Sequence, residues 1–252
     1  MGAGGLVEHI YFFAYGILPY LTIAAFSLGL LYKLAYWLSG PAARGPPAPS
    51  PSLPQAGSRI IAALILDLAL FRRTYRADFR RWCLVLSMHI CGAAVIVGHL
   101  YFLTEPLYEV PTEPLMSTAQ AYVRQLTPVE IQPSVCKLVC FAIGLALAAT
   151  LTSLLTSRVV NPVRRASSSF INYYNLALLN FTVYSGLAMS ADSLFLHALP
   201  LETKAVLSAL HGIAAQLFIA SLPFTCLHVA LGAVVTKVAY ELRRLTRSEG
   251  AA

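Results

Sequence analysis

Five apolar stretches, each long enough to cross a lipid bilayer, constrain what this chain can fold into more than any other feature. A hydrocarbon core about 30 Å thick takes roughly 20 residues of helix per crossing. The stretches lie at residues 10–35, 82–103, 135–157, 170–190 and 208–236, and none has an acidic residue near its centre. With 58% hydrophobic and 12% charged residues in 252, the chain is too apolar for an ordinary soluble domain, and lipid must be its main solvent. The predicted class is an all-α integral membrane protein, a five-transmembrane-helix bundle.

The formal charge of +7 raises the question of nucleic acid. In a membrane chain, however, what counts is where Lys and Arg fall relative to the spans. Arg44, Arg59, Arg72, Arg73, Arg76, Arg80 and Arg81 lie between spans one and two, Arg158, Arg164 and Arg165 follow span three, and Lys237, Arg243, Arg244 and Arg247 follow span five. The other connections carry Glu105, Glu109, Glu113 and Glu130 with Arg124 and Lys137, then Asp192, Glu202 and Lys204. The bias predicts an N-terminus outside, a C-terminus inside and an odd number of spans, with membrane lipid and no nucleic acid as partner. The segment MGAGGLVEHI lacks the basic flank of a secretory signal, so the first span is expected to remain as an anchor.

Residues 1–252 read as a single membrane domain. Within it, 40–57 hold six prolines and no apolar periodicity, the mark of a partly polyproline linker. Residues 58–81 carry too short an apolar run to span before a dense arginine series, which suits an interfacial basic segment. Five prolines between 104 and 133 predict a structured cap over the outer helix ends. NPVRR should break the third helix, and Ser167 to Ser169 offer N-cap hydroxyls for the fourth. The five cysteines fall in or beside spans, where a thiol is normally a small apolar filler, so no disulfide framework is expected. Cys136 and Cys140, four apart, are a weak metal signal without further ligands.

Ionisable residues within hydrocarbon are costly and usually functional. Here they are histidines: His89 and His99 in span two, His211 and His228 in span five. Four imidazoles are the number needed as axial ligands for two haems held in a bundle core. His89 and His99 are separated by about 15 Å along a helix and roughly 80° around it, so both can face one interior. His211 and His228 are about 25 Å apart on the same measure, a longer interval in which Pro223 can kink the helix. Antiparallel spans pair His99 with His211 near the outer face and His89 with His228 near the inner face. No CxxCH motif is present, so the haem iron would sit in two non-covalent haem b groups. A lone intramembrane histidine is more often a hydrogen-bonding or proton-path residue, and a transporter or a proton or metal channel is the alternative from another class. A third reading is a passive anchor for a peripheral enzyme.

At these residues the chain resembles the gamma, haem b, subunit of respiratory nitrate reductases and the related membrane subunits of sulfite-reductase-associated and heterodisulfide-reductase-like complexes. MHICGAAVIVGHL, residues 88–100, is similar to the family's second-span motif with two ligands ten apart. FFAYGILPYLTIAAFSLGLLYK, NPVRRASSSF and HGIAAQLFIASLPFTCLHV occupy the places of the first, fourth and fifth spans. The chain departs from the pattern in a longer proline-rich insertion and a span-five ligand spacing one residue shorter than in the best-known member. The resemblance implies a multi-pass subunit of a prokaryotic plasma membrane that oxidises quinol, of menaquinone type, beside the outer haem. Electrons would leave from the inner haem to an iron-sulfur subunit and a catalytic subunit of the molybdenum class. It also implies a quinol site formed by Lys137 and Gly98 next to His99.

Overall fold

The computed structural model describes residues 3–39, 69–102 and 133–225, together with residues 57, 58, 61, 62, 65, 66, 232, 235 and 238. Most of the proline-rich linker, the proposed outer cap, His228 and the C-terminal basic residues lie outside the described residues. Every described element is helical, and there is no strand among them. The first stretch comprises α1 (Ala3–Phe12), a π-helical turn (Phe13–Ile17) and α2 (Leu18–Ser39). Then come α3 (Arg72–Ala77), α4 (Phe79–Phe102), α5 (Pro133–Val160), α6 (Pro162–Ala166), α7 (Phe170–Ala191) and α8 (Leu201–Ser221).

Among the described residues, four helical stretches are long and apolar enough to cross a membrane: Gly5–Trp37, Phe79–His99, Lys137–Val160 and Leu201–Phe224. They coincide with the first, second, third and fifth predicted spans. The fourth, α7, has the necessary length at 22 residues. Three asparagines and three tyrosines, however, dilute its apolar content. Span five begins earlier than residue 208, because the helix starts at Leu201, just after Pro200, and its first turn carries Glu202 and Lys204, polar residues that an apolar window passes over. Pro223 interrupts the helical run, which tightens into a 3-10 turn over Leu222–Phe224.

The described chain divides into two compact units, Met1–Leu21 with Leu84–Phe218, and Thr22–Cys83 with Ile219–Ala252. In the first, Leu147, Leu151 and Leu154 repeat at intervals of four and three along α5 and pack with Leu176 of α7. Leu84, Val85, Met88, Cys91 and Val95 of α4 close over this cluster. Lipid tails are as apolar as leucine, so these helices gain from close packing and polar ties rather than from escape from water. Thr152 of α5 supplies one such tie, donating to Asn180 Oδ1 at 3.0 Å and lying 2.9 Å from the Tyr184 hydroxyl, both on α7. The π turn supplies another, since Gln216 Nε2 of α8 donates to the Ala14 carbonyl within it at 2.7 Å.

NPVRR does break the third helix. Asn161 takes an extended conformation and its side-chain oxygen accepts from the backbone of Val163 and Arg164, while Pro162 opens α6. The expected serine cap of the next helix is different in kind. Ser169 stands at the N-cap of α7 without a side-chain cap bond, and Ser168 instead joins Arg158 Nη1 to the Arg164 carbonyl. In the second unit, α3 is only six residues long, far too short to span.

Candidate functional site

His99 and His211 come together. Their ring centres lie 6.0 Å apart, with the ring planes only 10° from parallel. Each ring is oriented by a backbone carbonyl. His99 Nδ1 lies 2.8 Å from the Val95 carbonyl one turn earlier, and His211 Nδ1 lies 2.9 Å from the Thr182 carbonyl of α7, with Ser185 Oγ at 3.1 Å. His89 repeats the arrangement, its Nδ1 2.7 Å from the Val85 carbonyl. A carbonyl can only accept, so Nδ1 carries the proton in each case and the lone pair sits on Nε2, where it is free to ligate a metal.

Two glycines permit this geometry. A Cβ at Gly186 of α7 would lie 3.1 Å from His211 Cε1, so the smallest side chain gives the imidazole its place. A Cβ at Gly98 would lie 2.5 Å from the Cys140 sulfur, so α4 and α5 cross closely beside His99. Lys137 is three residues from Cys140, about one helical turn along α5. The crossing therefore brings the α5 turn next to Lys137 against Gly98, while Lys137 itself is partly exposed.

The environment of α4 is unusual for a helix bearing two histidines. Its best apolar window has no buried residue, and both His89 and His99 are exposed in the chain alone. His228 lies outside the described residues, and with it the expected His89 pair. His9 and His197 are exposed and apart from this pair, His197 in a left-handed conformation at φ 46°.

Among the described residues, no group of three or more His, Cys, Asp or Glu side chains could hold a metal ion. Two imidazoles suffice only where another molecule supplies the remaining ligands, as a porphyrin does with four nitrogens. Imidazoles ligating one metal from opposite sides at about 2 Å each place their ring centres about 6 Å apart. The 6.0 Å between the His99 and His211 ring centres equals that separation.

Sequence reasoning missed the residues that hold His211, Thr182, Ser185 and Gly186, because a small polar run in a membrane helix has no distinctive spacing. It also gave no role to Asp192, which is fully buried just past α7. One carboxylate oxygen accepts the backbone N–H groups of Ala198 and Leu199, each at 2.9 Å, and the other lies 2.9 Å from Lys204 Nζ. The Leu199 N–H and the Lys204 ammonium hold the carboxyl below the usual carboxylate range. This ties the turn between α7 and α8. Tyr15 of the π turn anchors α8 again, donating to the Ser208 carbonyl at 2.7 Å, one turn before His211.

Comparison of the chain with protein-family models, curated proteins and solved structures finds no match.

Proposed function

We propose that this all-helical membrane protein is a haem-binding electron-transfer subunit. The observation that carries the reading is the near-parallel pair His99 and His211, 6.0 Å between ring centres, with both Nδ1 atoms tied to backbone carbonyls. Bound between them, a haem would supply a one-electron carrier. The chain's part is to fix both imidazoles in one tautomer, keep their rings aligned and exclude water with apolar helix faces. The exposed His89, oriented like His99, supports a second such position, for which His228 is the candidate partner.

Within that class, the reading is a di-haem cytochrome b subunit similar to the gamma subunit of respiratory nitrate reductases. It has five spans with the N-terminus outside and sits in a prokaryotic plasma membrane. Quinol, of menaquinone type, gives up electrons near Lys137, Gly98 and His99, and they pass inward to an iron-sulfur subunit and a catalytic subunit that performs the terminal reduction. The crossing at Gly98 and Cys140 is too tight to admit a ring itself, so the quinol headgroup is placed beside it, one turn along α5 at Lys137. Lys137 would donate a hydrogen bond to a quinol oxygen, and the two protons released with the two electrons leave toward the outer side.

The test is a dithionite-reduced minus air-oxidised absorption spectrum of the purified protein, with a pyridine haemochrome assay for haem b per chain. Two haems are expected, falling to one in His99→Ala and in His211→Ala. A colourless protein, purified with haem supplied and under conditions that keep other membrane cytochromes intact, would refute the reading. A transporter or channel using the same histidines would then take its place.

A further inference from the structure

We infer that the elbow Leu70–Trp82, where α3 turns into α4, is a recognition surface for anionic phospholipid headgroups. The membrane span begins at Phe79, so the elbow lies where the helix passes from polar to apolar surroundings. It holds five arginines and one aspartate. The aspartate is already engaged, since Asp78 Oδ1 accepts the Arg81 backbone N–H at 3.0 Å as α4 begins. Arg72, Arg76, Arg80 and Arg81 are all exposed.

Between the arginines stands a cluster of rings. Tyr75 meets Phe79 and Trp82 edge-on, at 5.8 and 5.1 Å between centres, and Phe79 stacks on Trp82 at 5.5 Å. In sequence each ring adjoins an arginine: Tyr75 and Arg76, Phe79 and Arg80, Arg81 and Trp82. The elbow is braced from behind, as Trp82 Nε1 donates to the Leu70 carbonyl at 2.7 Å, across the left-handed turn at Phe71. Tyr75 and Phe79 nevertheless remain 52% and 58% exposed. Exposed rings suited to the acyl boundary, with exposed arginines next to them in sequence to reach the headgroups, match an anionic lipid surface in both polarity and charge. An acidic soluble partner would satisfy the arginines but would leave half-exposed rings where the helix enters lipid. The inference stands apart from the haem reading and needs only that α4 crosses the membrane.

The test is quenching of Trp82 fluorescence in the full chain carrying Trp37→Phe, reconstituted in mixtures of brominated phosphatidylglycerol or brominated phosphatidylcholine. Each arginine near an anionic surface is worth about 1 kcal/mol, so a preference for phosphatidylglycerol of roughly fivefold or more is expected. It should vanish when Arg72, Arg76, Arg80 and Arg81 are all replaced by Gln, and inorganic phosphate should not compete. Equal quenching by the two lipids, or quenching by neither, would overturn the inference. Should Trp37→Phe fail to fold, native mass spectrometry of the unaltered chain and of the four-arginine variant reads the same preference as retained phosphatidylglycerol. Equal retention by the two chains would overturn it as well.

Discussion

Alanine at position 98 would place a methyl group 2.5 Å from the Cys140 sulfur, with the Cys140 Cβ next at 3.9 Å. Non-bonded carbon atoms settle at about 3.5–4.0 Å, so the overlap is about 1 Å and falls almost entirely on the sulfur. Overpacking of this kind costs about 1–3 kcal/mol. Replacing a helical glycine with alanine returns about 1 kcal/mol of propensity, so Gly98→Ala alone should lose only about 0–2 kcal/mol. The double-mutant cycle separates the two effects. In Cys140→Ala the sulfur is gone, the added methyl meets only the Cβ at an ordinary distance, and the propensity gain is present in both arms. The expected coupling between positions 98 and 140 is therefore about 1–3 kcal/mol, with the double variant more stable than additivity allows. Unfolding of the four chains in mixed micelles, followed by helical circular dichroism, measures it. Additive losses would refute the close crossing of α4 and α5, and with it the placement of His99. Because His99 follows Gly98, haem uptake should fall in Gly98→Ala and recover in the double variant.

Gly186→Val would drive a branched side chain into the His211 ring, whose Cε1 lies 3.1 Å from a Cβ at that position. The expected result is loss of the same haem that His211→Ala loses, with the helical content kept, as read by pyridine haemochrome beside circular dichroism; full haem content would count against the pairing. The Asp192 carboxyl is held below the usual carboxylate range, so its contribution to stability is present above about pH 4 and lost as the pH falls through its lowered value. Thermal unfolding should be level from neutral pH down to about pH 4 and decline below it, whereas Asp192→Asn should lower the plateau and flatten the acid decline. An unchanged acid slope in that variant would assign the decline to other groups.

The long apolar helices were legible in the sequence because hydrophobicity over about 20 residues is a strong signal that packing does little to alter. The break at Asn161 and Pro162 was legible for a similar reason, since proline and an asparagine cap act locally. The meeting of His99 with His211 could be expected from antiparallel spans, but its distance and ring alignment depend on residues that carry no motif. Ser167 to Ser169 illustrate the limit. Serines before a helix suggest caps, yet Ser168 is drawn to Arg158 and the Arg164 carbonyl, a competition that is decided only when α5, α6 and α7 fold against one another. Likewise, nothing local shows that Lys204 will reach back to Asp192.

The polarity of α7 follows from the same considerations. Two neighbouring helices in hydrocarbon can rotate or slide with little change in apolar contact, so their register must be set by small residues and hydrogen bonds. One face of α7 engages α5 through Asn180, Tyr184 and Thr152, and another presents the Thr182 carbonyl, Ser185 and Gly186 to His211. Each such bond contributes only about 0.6 kcal/mol on average within a membrane, too little for the set to be explained by stability alone. Their directionality matters more. A helix of leucines in this position would hold α5 as firmly but leave α8 without a defined rotation, and His211 would then face His99 only part of the time. Asn180, Ser185 and Gly186 of α7 thus set the rotation and ring orientation on which the proposed haem site depends.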